Sequence, residues 1–380
     1  MLAPDAPRPP RHTPLYGLHL ELGARMVPFA GTTLPLQYRD GVLKEHLWVR
    51  NRCGLFDVSH LGQIVLRSKS GRLVDAALEL ERLVPQDILS LAPQRQRYAQ
   101  FTTDLGGILD DLMVANCGDH LFLVVNAAAR EAVEAHLARH LGSDCDIEVC
   151  DRALIALQGP EAESVLAKFA PDVVGMRFMD VRRLSLAGSD CVVARSGYTG
   201  EDGFEISVPS AAAQGLARAL LADGEVRPIG LGARDSLRLE AGLCLAGDDI
   251  DATTTVVEAE LQWSIQASRR RGERAGGFPG AKVILDQIAH GAPRIRVGLA
   301  LEGRAPLRKG ALLFADTTSD QPVGTVTSGG FAPSLNAPIA MGYVTSALRA
   351  PQTPLFALQR GNHLAVRVAP LPFVTNTSRR

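Results

Sequence analysis

An α+β fold ending in a small β-barrel or sandwich is what the 380-residue sequence predicts, and three observations predict it. Strand-like alternation and helix-like 3.6-residue spacing succeed one another between residues 96 and 224, with hairpin turns joining neighbouring strands. No G-x-G-x-x-G follows a strand anywhere, so a dinucleotide-binding doubly wound sheet has no support. Beyond Pro293 the chain breaks into short apolar runs separated by Gly, Pro and Asn turns.

Residues 1–12, MLAPDAPRPPRH, carry four prolines, no serine and no apolar stretch. They read as a flexible tail on a cytoplasmic, bacterial protein, because the prolines oppose an amphipathic targeting helix. Residues 96–126 alternate in period two and are broken at Asp104-Leu105-Gly106-Gly107 and Cys117-Gly118-Asp119, which predicts a three-strand meander. Residues 127–137 then favour a helix, rich in Ala, with Asn126 as its cap. Strands follow at 154–157, 192–194 and 204–208. Gly159-Pro160 and Pro209-Ser210 open further helices, the second ending near Gly224. Residues 230–242 form a helix entered and left through glycines, with Arg234 and Arg238 four residues apart on one face. Residues 268–280, SRRRGERAGGFPG, read as a solvated surface loop in preference to a docking segment for an acidic partner. The final domain begins near residue 291, with apolar runs at 297–301, 311–314, 324–327, 340–344, 354–357 and 364–368.

Composition bounds the function. With 46% hydrophobic and 21% charged residues the chain is globular, in roughly two or three domains. A net charge of −1 supplies no attraction for polyanions, so nucleic acid is excluded as a partner class. No apolar run approaches the ~18 residues of a membrane span. Six cysteines without C-x-x-C spacing, and no H-E-x-x-H or Walker loop, give metal catalysis no support and suit a reducing compartment.

Three segments carry candidate chemistry. Asp110 and Asp111 stand in an apolar strand just after a tight turn, and an alternating strand buries only one of them. A buried carboxylate must either pair with a neighbour or await a cationic or amine ligand, and spacing alone favours the pair. In Ser196–Glu205 three glycines surround Tyr198 and a cluster of acids. A plain hairpin explains the glycines, but it explains Glu205 inside an apolar strand less well. Arg234 and Arg238 suit planar carboxylate recognition, or equally an ion pair with a nearby Glu. Ser59-His60 forms no hydrolase triad, since adjacent strand residues point apart and no G-x-S-x-G elbow exists.

These motifs are collinear with a known family. TPLYGLH at 13–19, GLFDVSH at 54–60, GGILDDLMV at 106–114, LVVNAAAR at 123–130, ALQGPEA at 156–162, SGYTGEDGFEI at 196–206, GLGARDSLRLEAGL at 230–243, VGTVTSGGFAPSLNAPIAMGYV at 323–344 and LPFV at 371–374 resemble the glycine cleavage T-protein family along nearly the whole chain. The resemblance implies a three-domain ring around a central folate pocket, with two interleaved ferredoxin-like αβ domains, residues 1–59 with 150–250 and residues 60–149 with 251–290, and a barrel over 291–380. It implies an aminomethyltransferase that moves a methylene carbon from the lipoyl arm of a carrier protein, the H-protein of glycine cleavage, to tetrahydrofolate, releasing ammonia. Asp110 would lie beside the reacting nitrogens, Tyr198 on the pterin and Glu205 at its edge. Arg234 would match the folate-binding arginine, while Tyr98 and Asn126 would line the pocket. Thr32, Ala246, Glu260 and the FPGAKVI segment at 278–284 depart from the family pattern and leave room for a relative using another methylated amine. A folate-binding iron–sulfur assembly factor is the alternative from another class, but EAGLCLAGDD at 240–249 replaces the KGCYxGQE block of such relatives.

Overall fold

Cys53–Asp57 is the strand around which the first sheet is built, and all five of its residues are buried. In the computed structural model, which describes residues 10–375 and 377, it lies between Arg152–Gln158, antiparallel, and Val226–Ile229, parallel. Val181–Leu186, Ser189–Ala194 and Gly203–Pro209 complete a six-stranded sheet. A strand covered on both faces needs apolar side chains at successive positions. Leu55 meets Ile155, Phe204 and the helices Tyr16–Glu21, Ala162–Ala167 and Ser210–Leu221, whereas Phe56 packs with Val49, Ala233 and Leu237 from the helices Gly41–Asn51 and Leu231–Glu240. The Leu231–Glu240 helix enters through Gly230 because a Cβ there would sit 2.3 Å from the Leu36 carbonyl oxygen.

The second sheet runs Arg95–Thr102, Ile108–Asn116, Leu121–Val125, Gly62–Ser68, Cys145–Val149. The expected meander supplies three of its strands. Leu73–Glu81 and Arg130–Leu141 cover one face through Leu80, Val133 and Leu137. Val65, Ala115, Phe122 and Val181 join the two sheets in a smaller apolar cluster. The third unit is a closed six-stranded barrel, so the barrel rather than the sandwich forms; its first strand is Arg294–Leu301.

Three expectations are corrected. The helix after Asn126 begins at Arg130, and Asn126 does not cap it, because its side-chain amide is bonded to Asp110 and Asp111. Residues 268–280 are a solvated loop only in part, at the exposed 271–273 and 277. Ala267–Arg270 is a short helix; Arg269 is buried and donates to the Glu81 carbonyl oxygen, and Arg274 pairs with Glu81 at 2.6 Å and Asp87 at 2.9 Å. Two buried carboxylates require nearby cations, and this Arg-rich stretch supplies them. Of the expected N-terminal tail, residues 1–9 lie outside the described residues, and Arg11–His12 pairs in parallel with Thr32 and Thr33 as a short strand.

One buried ion pair ties the first sheet's helix to the barrel. Arg238 donates to Asp249 at 2.7 Å and to Ser328 at 3.0 Å; Asp249 also accepts from Leu245 N–H, Thr327 and Ser328. Removing one charge strands the other in a dry site. Asp249→Ala is expected to cost about 3–5 kcal/mol and to lower the melting temperature, whereas Arg238→Met combined with Asp249→Leu recovers much of the loss. A double variant no more stable than Asp249→Ala alone would contradict this account.

Candidate active site

The site begins with a turn that only glycine allows. A Cβ on Gly107 would lie 1.9 Å from the Ala252 carbonyl oxygen, and the next residue, Ile108, donates its N–H to the Asp251 carbonyl at 3.0 Å. The strand Ile108–Asn116 is thereby fixed against the segment 251–255 before its acids are reached. Ile108, Asp110, Leu112 and Val114 are buried, while Leu109, Asp111 and Met113 occupy the opposite, more open face. Alternation therefore separates the acids as the sequence requires, with Asp110 only 2% exposed.

Asn126 brings the two together. Its Nδ2 donates to Asp110 Oδ1 at 2.9 Å and to Asp111 Oδ1 at 2.5 Å, and its backbone N–H reaches the second Asp110 oxygen at 3.3 Å. The strand pairing Leu112 with Val125 places Asn126 opposite the acids. Asp111 gains a further donor, the Tyr98 hydroxyl at 2.7 Å. Burial raises both carboxyls. Asp110 is pushed up to about 7, by burial first and then by the Asp111 charge, against the lowering effect of Asn126. Asp111 is also raised by burial, but Tyr98 and Asn126 hold it down. A carboxyl titrating near neutrality is a group able to take and return a proton.

Tyr98 stacks on Trp263 with ring centroids 5.8 Å apart and planes 17° from parallel, and Trp263 is 61% exposed. The second cluster arises between two strands of the first sheet. Tyr198, in the loop before Gly203–Pro209, donates its hydroxyl to the Cys244 carbonyl. The Arg234 guanidinium lies over its ring at 4.9 Å. Glu205, paired in register with Ala156 and Ala194, accepts from Ser196 Oγ at 2.6 Å. Burial lowers Arg234's affinity for its proton, with Glu205 opposing. Its Nη1 is buried with no hydrogen-bond partner among the described residues. The Asp111 charge acts on both Tyr198 and Cys244, and Cys244 acts on Tyr98, so the two clusters are neighbours.

The structure thus brings Tyr98, Asp110 and Asn126 together, and separately Tyr198, Glu205 and Arg234, with the two groups adjoining. Arg238 is committed to Asp249, Asp235 and Ser328, which leaves Arg234 as the arginine with donor capacity to spare. None of the six lines the cleft of about 570 Å³ at Arg95 and Arg177–Asp180 or that of about 950 Å³ at Arg11, Thr32 and Arg130. Sequence reasoning missed Trp263, whose only local signal is being one of two tryptophans, and Asp111's direct bonds to Tyr98 and Asn126, which depend on strand register.

Fold and paired clusters describe a multidomain α+β transferase site, and comparison with known proteins agrees. Residues 15–269 match the GCVT N-terminal domain and residues 294–375 the glycine cleavage T-protein C-terminal barrel domain. The chain is 46% identical to the mitochondrial aminomethyltransferase of Homo sapiens over 374 residues, covering 96% of this chain and 90% of that protein. It is 43% identical to the corresponding protein of Dictyostelium discoideum over 382 residues, 96% and 92% of the two chains. Among solved structures, the glycine cleavage system aminomethyltransferase T from Bartonella henselae superposes with a TM-score of 0.90 at 41% identity, over 97% of this chain and 99% of that one. The chain belongs to the glycine cleavage T-protein family. Its enzyme class is aminomethyltransferase, and the assembly-factor and demethylase alternatives are not favoured.

The Asp110 carboxyl yields a prediction with a definite sign. Its folded-state pKa of about 7 exceeds the unfolded value near 3.9, so the folded chain binds more protons between those limits and loses stability as pH rises through them. Asp110→Asn removes that penalty, up to ~4 kcal/mol above pH 7. Thermal melts should show the variant more stable than the natural chain at pH 8 and the two alike at pH 4. A variant less stable at pH 8 would mean the carboxylate is favourably solvated in the fold.

Proposed function

We propose that the chain transfers the methylene carbon of the aminomethyl group carried on a lipoylated H-protein to tetrahydrofolate, releasing ammonia and forming 5,10-methylenetetrahydrofolate, with Asp110 as the proton-transferring group. The observation that carries the assignment is the buried Asp110 carboxyl, held by Asn126 and titrating near neutrality. In the overall exchange the carbon loses its bonds to sulfur and to the amine and gains two bonds to folate nitrogens. The two protons from those nitrogens end on the lipoyl thiol and the departing ammonia. A carboxyl with a pKa near 7 suits the proton traffic in both directions. The adjacent Asp111 charge favours a positive centre at the carbon as its bonds exchange.

Tetrahydrofolate carries a reduced pterin whose planar pyrimidinone edge offers two donors and an acceptor. Glu205 would accept from the donors, Arg234 would supply its unpartnered Nη1 to the acceptor, and Tyr198 would lie against the ring. Tyr98 and Asn126 would line the same space beside Asp110. In the division into residues 1–59 with 150–250, 60–149 with 251–290, and 291–380, strand membership supports the first pairing and the separate barrel, and the Gly107–Thr255 bridge supports joining 251–290 to 60–149. All six cysteines are unbridged, which suits a reducing compartment such as the cytoplasm; the animal and amoebal relatives are named mitochondrial. No helix among the described residues is long and apolar enough to cross a membrane.

The test supplies purified protein with tetrahydrofolate and aminomethylated lipoyl carrier and follows ammonia and methylenetetrahydrofolate together. Equal amounts of the two products are expected, and Asp110→Asn should lower kcat by roughly 10²–10⁴ while tetrahydrofolate still binds. Folate binding without turnover from this carrier would overturn the donor assignment, and an Asp110→Asn variant of undiminished kcat would overturn the role of Asp110.

A further inference from the structure

Arg50 stands near the end of the helix Gly41–Asn51, and its side chain is only 9% exposed. Its fork of donors reaches two other elements at once. Nη1 donates to the Thr199 carbonyl at 2.9 Å and to Glu201 Oε1 at 2.8 Å. Nη2 donates to Glu240 Oε2 at 2.8 Å, and Nε reaches the same oxygen at 3.2 Å. Thr199 and Glu201 belong to the loop that presents Tyr198, and Glu240 ends the helix that carries Arg234. One planar guanidinium thus joins the two elements whose side chains meet where Arg234 lies over the Tyr198 ring at 4.9 Å.

Charge compensation accounts for only part of this arrangement. Glu201 and Glu240 are buried and need a cation. The Thr199 carbonyl is neutral and needs none, yet it takes a proton of the same nitrogen, one residue after Tyr198 in the chain. Gln158 already ties the loop to its own sheet, through the Ser196 carbonyl and the Thr199 hydroxyl, each at 2.9 Å. What Arg50 adds is the tie from loop to helix. The far end of the chain repeats that tie. Thr377 donates its N–H to the Gly200 carbonyl at 2.9 Å and its hydroxyl to Glu201 Oε2 at 2.6 Å, and Val374 donates to the Glu240 carbonyl at 3.0 Å. Two separate pieces of chain therefore bridge the same pair of elements.

We propose that Arg50 is a positioning residue for tetrahydrofolate, fixing the Tyr198 loop against the Leu231–Glu240 helix so that Tyr198 and Arg234 keep the spacing that admits the pterin. It acts through those two side chains and not on the ligand itself. The proposal rests on the folate reading given above. A loop and a helix already held at the binding distance need no ordering when the ligand arrives, and that ordering would otherwise weaken affinity. Loss of the clamp falls on folate binding. Proton transfer at Asp110, which stands on a strand of the other sheet, is left in place.

Arg50→Met alone strands two buried carboxylates, so it should melt well below the natural chain and bind poorly. Glu201→Gln and Glu240→Gln in the same chain remove those charges while the clamp stays absent. This triple variant should recover most of the melting temperature, yet bind tetrahydrofolate about tenfold more weakly than the natural chain by titration calorimetry. Its kcat at saturating tetrahydrofolate, and its KM for the aminomethylated carrier, should stay within about threefold of the natural values. Arg50→Lys keeps the charge, but its compact ammonium does not span the acceptors of both elements, so it should fold and bind at least about threefold more weakly. A triple variant that regains affinity together with stability overturns the proposal, because Arg50 then only neutralises its acids. A fall in kcat as large as the fall in affinity overturns it too, as a general loosening of the site. Should the triple variant melt early, Arg50→Lys decides, and natural affinity in that variant overturns the proposal. Each of these outcomes leaves the folate reading standing, whereas a natural chain that binds no tetrahydrofolate removes both.

Discussion

The site depends on a buried helix, Leu231–Glu240, whose polar side chains are compensated one by one. Arg238 meets Asp249, itself fully buried and given three further donors by Leu245 N–H, Thr327 and Ser328. Two residues on, Glu240 accepts from Arg50 at 2.8 Å, His46 at 3.1 Å and Ser334 N–H at 2.9 Å, and these bonds hold its carboxyl down to about 2. A buried ion pair breaks even only when each remaining lone pair and proton is satisfied. Here each carboxylate is met by neutral donors from the barrel as well as by cations of the first sheet's own unit, so a shift of the helix breaks bonds to both.

Against that background the exception on the same helix is informative. Arg234 stands one turn before Arg238, on the same face, yet its Nη1 has no partner while Arg238 is paired throughout. Tertiary structure decides which of the two is spare. Arg238 is met by Asp249, Asp235 and the barrel's Ser328, whereas Arg234 lies over Tyr198 and feels Glu205 and His60. A rigidly mounted guanidinium with an unsatisfied donor is preorganised for a ligand, because no internal bond must break to free it.

How much of this was legible in the sequence follows from the range of each interaction. The meander, the barrel runs and the burial of one acid at 110–111 are set by period-two patterning and were readable from neighbours alone. Asn126 was misread as a cap because capping is the local use of Asn, while its actual partners lie 15 and 16 residues away across the sheet. The arginines of 268–280 were misread for the same reason, since Glu81 and Asp87 are some 190 residues distant in the chain. The choice between Arg234 and Arg238 was open because i and i+4 share a face, and only the position of Asp249 distinguishes them.

The paired aspartates extend the same reasoning to the chemistry. A lone buried carboxyl with good donors would ionise early and serve only as a fixed charge. Asp111 is raised by burial as well, but Tyr98 and Asn126 both donate to it and oppose that rise. Asp110 shares the Asn126 amide but has no hydroxyl donor, and it must ionise beside a charge already present. Two like residues in adjacent positions are thereby driven to different ionisation behaviour by which face of the strand each occupies. The strand's alternation, fixed at its start by Gly107 against Ala252, therefore determines which carboxyl can exchange a proton near neutral pH.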